Sequence, residues 1–318
     1  MDGLRAVAIA SVMGFHFVRP VVSGGSLGVD VFFVLSGWLI TSILVREFKA
    51  AGRIDYGGFI GRRARRLLPA LFVLLAAYVL LAPSLFSHHA PGRWTDAAAA
   101  AFYVTNLRET FWPTDNPLSH TWSLAIEEQF YLLWPFALLA LLRLERRTAA
   151  ILLCVAWAVL TVARVASNEL WPSPAAYYFT PFHATGLLLG SALALYPLKV
   201  NGFAGRISLA LLVAFFIAGH TDRYFLALQP VAEIAAALAI ARPPNILARE
   251  PLPFLGRISY GVYLWHVPLM YALPPRGWLS LAELIGASIL AGWMSHVLVE
   301  RWFLARRRPA RALSQASA

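Results

Sequence analysis

The segment "DGLRAVAIASVMGFHF", Asp2–Phe17, sets Arg5 and His16 eleven residues apart in a stretch otherwise fit for lipid. Polar side chains inside a membrane span are costly, so a bilayer helix that keeps them has a use for them. Eleven residues advance an α-helix by about 16 Å and about three turns, which puts both side chains on one face. With a hydrocarbon core near roughly 30 Å, Arg5 falls at the inner boundary and His16 near the middle. The structural reading is a snorkelling arginine and a hydrogen-bonded histidine. The chemical reading is an anion contact at the inner surface, joined along one helix face to an imidazole. A neutral imidazole takes a proton from an alcohol and returns it near neutral pH, which few other side chains do.

Three further stretches carry groups that can do chemistry. "GVDVFFVLSGWLI" places Asp30 near the outer end of a span, with Ser36-Gly37 deeper inside. The Ser-Gly pair suits close helix packing, whereas a carboxylate in an apolar helix needs a partner or a water-lined site. "SLAIEEQFYLLWPF" puts Glu127 one turn from Ser123 and one from Tyr131, so the three share a face. The helix dipole, with Ser123 as a cap, accounts for one glutamate in the first turns better than for the pair Glu127-Glu128. "RRARR", Arg62–Arg66, is the densest charge run. It fits positive-inside anchoring, anionic lipid, or a nucleotide phosphate gripped by guanidinium groups at the mouth of a cavity. His88-His89 has no carboxylate or cysteine at ligand spacing, so no metal site is expected. No phosphate-cradling glycine loop, nucleophile elbow or H-E-x-x-H motif is present.

These residues must be positioned by membrane helices. The 318 residues are 59% hydrophobic and 14% charged, and the mean hydropathy is +0.64. Long apolar runs recur throughout, which predicts an all-α polytopic membrane protein and excludes a β-barrel of short alternating segments. The net charge of +11 does not indicate nucleic acid. With the N-terminus inside, all but six of the 27 basic residues fall on the inner side, the bias expected of membrane orientation. The six are Arg19, Arg93, Arg108, Arg164, Arg223 and Arg276. Cys154, the only cysteine, is expected to be a buried, inert thiol. The first apolar run lacks a small-residue cleavage site and reads as a retained span, not a signal peptide.

Spans are predicted at Leu4–Val22, Leu27–Val45, Leu67–Leu85, a run opening at "SHTW" and stopping at Arg143, and Ala149–Val165. Further ones follow at Phe182–Tyr196, Ile207–Ala218, Phe225–Ala241, Ile258–Leu273 and Leu279–Val299. The outer segment Phe86–Ser119 holds an apolar piece, Ala97–Leu107, too short to span and read as one re-entrant or interfacial helix. The count is about ten transmembrane helices with both termini cytoplasmic. The domain reading is a single transmembrane unit at 1–304 and a disordered cytoplasmic tail at 305–318, "ARRRPARALSQASA". No internal repeat and no soluble domain are evident.

Five motifs appear in order: "DGLRAVAIASVMGFHF", "GVDVFFVLSGWLIT", "FIGRRARRLLPA", "HTWSLAIEEQFYLLWP" and "LGRISYGVYLWHVPL". Together they resemble the membrane acyltransferase family three, the O-antigen and exopolysaccharide O-acetylase type, over nearly the whole chain. The resemblance implies transfer of an acyl group, commonly acetyl, from cytoplasmic acyl-CoA to a hydroxyl. Acceptors in the family are cell-surface or lipid-linked carbohydrates and sometimes small natural products. The family's Arg–ten residues–His motif falls on Arg5 and His16, its basic motif on Arg62, Arg63 and Arg66, its glutamate motif on Glu127, and its late aromatic motif on Tyr260 and His266. Some members continue into an outer hydrolase-like domain, which this sequence is expected to lack. Where many relatives carry an arginine and an acidic residue before "LLLG", this chain reads Phe182-His183-Ala184-Thr185-Gly186, which leaves the acceptor sugar open.

The expectation is a bacterial inner-membrane O-acyltransferase with no permanently bound cofactor and acetyl-CoA as donor substrate. Coenzyme A phosphates would meet Arg5 and the Arg62, Arg63 and Arg66 group. His16 would act as general base, with Glu127, Asp30 or Tyr131 orienting it or the acceptor. Ser36, Tyr131, Tyr260 and His266 are the candidate substrate contacts. Direct transfer and a transient acyl-histidine both stay open, as do acyl chain length and oligomeric state. The expected partners are the bilayer, acyl-CoA and a carbohydrate or lipid-linked sugar. A transporter or flippase would use Arg5, His16 and Glu127 as relay groups, but leaves the basic motif unexplained and shows no inverted repeat. A structural or signalling membrane protein leaves several buried polar groups without a role.

Overall fold

The structure, a computed structural model, describes residues 1–170, 175–219 and 225–305. Its first helices are α1 (Asp2–Phe17), α2 (Leu27–Ala51), α3 (Tyr56–Leu85), α4 (Arg93–Ala101), α5 (Thr105–Phe111) and α6 (Trp122–Leu141). Then come α7 (Arg146–Leu170), α8 (Ala175–Tyr178), α9 (Thr180–His183), α10 (Thr185–Leu195), α11 (Gly202–Ala218) and α12 (Phe225–Ala241). The last are α13 (Leu252–Ala272), α14 (Trp278–Met294), a π-helical turn at Ser295–Glu300, and α15 (Arg301–Ala305). No strand occurs among the described residues. Residues 306–318, most of the segment expected to form a tail, lie outside them, as does Arg223.

Among the described residues, five helices are long and apolar enough to cross a membrane: Leu27–Ala51, Tyr56–Leu85, Ser119–Leu141, Arg146–Ser167 and Trp278–Leu304. Thr185–Leu195, Gly202–Ala218 and Leu228–Ala241 are apolar but shorter. Leu80, Leu133, Phe136, Val159, Val162 and Leu298 are exposed, while Asp30, Arg164, Gln229, Glu233, His120 and His266 are buried. Apolar groups outside and ionisable groups inside is the arrangement a bilayer imposes on a multi-pass protein.

Local chemistry explains the departures from the predicted boundaries. The first helix stops at Phe17 and not Val22, because Pro20 biases Arg19 away from helical backbone and Gly24-Gly25 follow. The Ala97–Leu107 piece is split between α4 and α5, nine and seven residues long. The break falls at Tyr103, whose φ is 54°, a left-handed conformation a continuing helix does not contain. Neither half reaches across a bilayer. The Phe182–Tyr196 run is likewise broken at Ala184, leaving an α10 of only 11 residues. Cys154 corrects the expectation of a buried thiol: it is exposed, because α7 turns its Ile151, Leu152 and Val155 face outward.

The helices that position the polar groups cross closely where side chains are small. A Cβ on Gly190 of α10 would lie 2.0 Å from the Val34 carbonyl oxygen, and one on Gly37 of α2 equally 2.0 Å from that of Leu187. The two backbones therefore touch, as expected where dispersion and not hydrophobic exclusion holds membrane helices together. Around that crossing Thr41 Oγ1 donates to Ser191 Oγ at 2.9 Å and accepts from Trp134 Nε1 at 2.9 Å, tying α2, α10 and α6. The Ser36-Gly37 pair thus has two faces: Gly37 permits the crossing, and Ser36 points into the cavity described next.

Gly190→Ala is expected to lose about 1–3 kcal/mol of stability through backbone clash, read as a lower thermal midpoint in detergent. Gly61→Ala in α3, where an added Cβ meets nothing within 4 Å, is expected to gain about 0.5–1 kcal/mol. Equal midpoints for the two variants would contradict the crossing.

Candidate active site

Helical spacing gathers one cavity from five helices. Arg5 comes from α1; Ser36 and Ile40, one turn apart, from α2; Arg63 and Arg66 from α3; Ser123, Glu127 and Tyr131 from α6; Tyr260 and Tyr263 from α13. Every such set repeats at three or four residues, the interval that stacks side chains on one helix face. The cavity has a volume of about 100 Å³. Ser36 Oγ donates to Glu127 Oε1 at 2.7 Å. The Arg63 guanidinium lies 3.6 Å from the centre of the Tyr131 ring and donates to Glu128 Oε1 at 3.1 Å. Tyr260 donates to the Leu67 carbonyl at 2.9 Å, holding α13 against α3.

The lining is electropositive. Three guanidinium groups, Arg5, Arg63 and Arg66, face one lining carboxylate, Glu127. Arg63 Nε is buried without a hydrogen-bond partner among the described residues. Planar guanidinium donors in a partly desolvated pocket suit phosphate, which they grip bidentately. The basic run itself divides by helical phase. Arg63 and Arg66, three apart, turn inward, whereas Arg62 turns away and pairs with Glu47 at 2.9 Å, its side chain half exposed. Arg62 was expected among the phosphate contacts; the geometry puts it outside the cavity, because one residue rotates a helix by about 100°.

A cluster of three histidines lies behind the cavity wall. Ser123 Oγ is 2.6 Å from Tyr263 Oη, and that hydroxyl donates to the His120 carbonyl at 2.7 Å. The Tyr263 proton is therefore committed, and Ser123 is the donor of the first bond. The Tyr263 ring packs against His266 and His120, with centroids 5.4 Å away in each case. His16 packs against His266 in turn, centroid to centroid 5.0 Å.

Carbonyl partners assign the ring protons. His266 Nδ1 lies 2.7 Å from the Tyr263 carbonyl, so Nδ1 carries the proton and Nε2 a lone pair. That lone pair faces His16 Nδ1 at 3.2 Å. His16 Nδ1 also faces the Val12 carbonyl at 2.9 Å, so its proton is shared between the two acceptors. His16 Nε2 is left as the basic atom of a half-buried ring. His120 Nε2 donates to the Leu264 carbonyl at 3.2 Å. That carbonyl is open because residue 268 is a proline inside α13 and has no N–H to offer its helix.

The sequence candidates thus separate. Arg5, Ser36, Arg63, Arg66, Glu127, Tyr131 and Tyr260 share the cavity, and His16 and His266 form the pair behind it. Asp30 joins neither. Its Oδ1 is 3.2 Å from His183 Nε2 and accepts from Gln229 Nε2 at 3.2 Å, so Asp30 is corrected as an orienting partner of His16: the ring that fills that place is His266. His120 and Tyr263 escaped the sequence reading, although both lie in motifs it used. The signal available for His120 was Pro268, whose missing N–H requires an outside donor.

A family model described as an acyltransferase domain matches residues 1–298. The peptidoglycan O-acetyltransferase OatA of Listeria monocytogenes is 34% identical over 316 residues, covering 86% of this chain and 50% of that protein. The O-acetyltransferase OatA of Staphylococcus aureus is 33% identical over 314 residues, covering 85% of this chain and 50% of that protein. The chain spans about half the length of the curated relatives it matches. No solved structure matches. The chain belongs to this acyltransferase family, as its motifs indicated.

Nitrogen chemical shifts of selectively labelled histidine are expected to report His16 and His266 as Nδ1–H tautomers and His120 as Nε2–H. An Nε2–H tautomer at His16 would remove its lone pair from the open side and contradict the assignment.

Proposed function

We propose that this acyltransferase moves an acyl group, acetyl in the simplest case, from acyl-CoA to a hydroxyl of a carbohydrate. The observation that carries the reading is an adjacency: an arginine-lined cavity on one side of Tyr263 and, on the other, a histidine pair that leaves His16 Nε2 unprotonated. The donor's phosphates would meet Arg5, Arg63 and Arg66, with the thioester end directed along α1 toward His16. The basic-residue bias supports an orientation with both termini in the cytoplasm, about ten crossings, and a place in the bacterial cytoplasmic membrane. In that orientation the arginine cavity opens where cytoplasmic acyl-CoA is available. Relatives named for acetylating peptidoglycan support a carbohydrate acceptor.

The residues divide the reaction as follows. His16 Nε2 takes the acceptor hydroxyl proton while that oxygen attacks the thioester carbonyl carbon. The tetrahedral centre collapses, the carbon–sulfur bond breaks, and the proton on His16 Nε2 passes to the departing thiolate. While His16 is imidazolium, its Nδ1 proton lies between the Val12 carbonyl and His266 Nε2, so the added charge is spread over two acceptors. Ser36 and Glu127 supply a hydrogen-bonding wall to the donor cavity, and Arg63 is held for phosphate by Tyr131 and Glu128.

The test is transfer of radiolabelled acetyl from acetyl-CoA by purified protein. His16→Ala is expected to lose about a hundredfold or more of the rate while the protein still inserts; near-normal transfer would sink the base assignment. Arg63→Ala and Arg66→Ala are expected to raise the KM for acetyl-CoA about tenfold, whereas Arg62→Ala leaves it unchanged. A shift with Arg62→Ala as large as with Arg66→Ala would refute the division of the basic run.

A further inference from the structure

Two stripes of side chains meet over the arginine-lined cavity. Along α13 come Tyr260, Tyr263 and His266; along α6 and the turn before it come Tyr131, Glu127, Ser123 and His120. Intervals of three and four keep each stripe on one helix face. Tyr260, Tyr263, Tyr131, Glu127 and Ser123 line the cavity, whereas His266, His120 and His16 are not among its lining residues. The stripes touch at Tyr263, whose hydroxyl accepts from Ser123 Oγ at 2.6 Å and donates to the His120 carbonyl at 2.7 Å. One turn further along α13, about 4.5 Å, stands His266, with its Nε2 3.2 Å from His16 Nδ1. The wall between cavity and histidine pair is one side chain thick.

Acyl transfer cannot take place across that side chain. The acceptor oxygen must come within about 3–3.5 Å of the thioester carbon while its proton is within hydrogen-bond reach of His16 Nε2. The Tyr263 ring, against His266 at 5.4 Å between centroids, keeps the two apart. The packing nevertheless lets the ring leave without unseating the base. His266 Nδ1 is fixed by the Tyr263 backbone carbonyl at 2.7 Å, not by its side chain. His16 is fixed by the Val12 carbonyl and His266, and His120 Nε2 by the Leu264 carbonyl. The side chain's own ties are the hydrogen bonds to Ser123 and His120. It borders the cavity, so a turn about its Cα–Cβ bond carries the ring into space the structure contains. His16 is half-buried, and water that reaches it would hydrolyse a thioester left in contact, which is a reason for an active site to close.

We infer that the Tyr263 side chain is the gate of the proposed reaction: held by Ser123 and His120, it closes the donor cavity from His16, and thioester and base meet only when those two hydrogen bonds give way. This role rests on the acyl-transfer reading, in which the donor enters past the arginines and the base lies beyond the ring. Tyr263 is thereby a positioning residue: it forms no bond to the acyl group and sets which groups the acyl carbon can reach. With the gate lost, water takes the acceptor's place. Its oxygen bonds to the carbonyl carbon, the carbon–sulfur bond breaks, one water proton passes through His16 Nε2 to the thiolate, and the released acid keeps the other. The closed ring limits that loss.

The test measures free thiol released from acetyl-CoA by the full chain in nanodiscs with no acceptor added, beside equilibrium dialysis of radiolabelled acetyl-CoA. Tyr263→Ala is expected to raise thiol release about tenfold, and Ser123→Ala, which removes one of the two hydrogen bonds and keeps the ring, about threefold. Acetyl-CoA binding is expected to stay at the wild-type level in both, since the arginines assigned to the phosphates are untouched. Adding His16→Ala to Tyr263→Ala is expected to take the gain away. A Tyr263 side chain that served packing alone would lower thiol release and not raise it. Should Tyr263→Ala fail to insert, Ser123→Ala decides alone. An inserted variant of either kind that binds acetyl-CoA with thiol release at or below wild type overturns the gate and leaves acyl transfer standing. So does a gain that survives the loss of His16. A wild-type protein that neither binds acetyl-CoA nor releases thiol overturns acyl transfer itself, and the gate with it.

Discussion

A polar group enclosed by helices whose outer surface is apolar has no water to fall back on, so its partner must come from another helix. That requirement organises this molecule more than helix propensity does. Pro268 shows it in a single residue: by withholding an N–H from α13 it opens the Leu264 carbonyl, and His120 answers from the turn before α6. His120 is thereby seated beside His266, and His266 beside His16. Three residues distant in sequence form one cluster, each ring held by a backbone carbonyl: His120 by Leu264, His266 by Tyr263 and His16 by Val12.

The same requirement keeps two charged centres apart. The arginine-lined cavity holds an excess of guanidinium groups over carboxylates, whereas the buried group of Asp30, Glu233 and Arg164 holds two carboxylates and one guanidinium. In a medium of low dielectric, such groups would pair with each other if they were allowed to meet. Phe33 and Trp122 stand between them, and the close crossing of α2 and α10 fixes that wall. Each centre therefore keeps its own polarity.

Much of this was legible as periodicity and little as partnership. The shared face of Arg5 and His16, and of Ser123, Glu127 and Tyr131, follows from helix geometry, and the structure keeps both sets together at the cavity or its wall. The inward turn of Arg63 and Arg66 against the outward turn of Arg62 is also a matter of phase, readable once the inner face of α3 is known. Asp30 was recognised as needing a partner, but His183 and Gln229 lie more than 150 residues away, and no local rule joins them. Arg164 was counted as an outer-side charge; only the packing of α7 against α10 and α12 reveals it as fully buried. The outward placing of Cys154 shows the converse, since in a membrane helix an apolar stretch does not say which of its faces meets the protein.

Among the described residues no carboxylate pairs with His16, and in the proposed reaction this has a chemical consequence. In a serine-hydrolase triad an aspartate orients the histidine and stabilises the imidazolium, which strengthens it as a base. Here a neutral imidazole and a backbone carbonyl do the orienting, so in the proposed role His16 has no neighbouring negative charge to hold the proton it would gain. A proton less firmly held is more readily returned. Acyl transfer from the proposed thioester donor would need that return, because the departing thiolate would be protonated in the same turnover. An adjacent carboxylate would favour the first proton transfer at the expense of the second. In the proposed reaction a histidine partner would balance them.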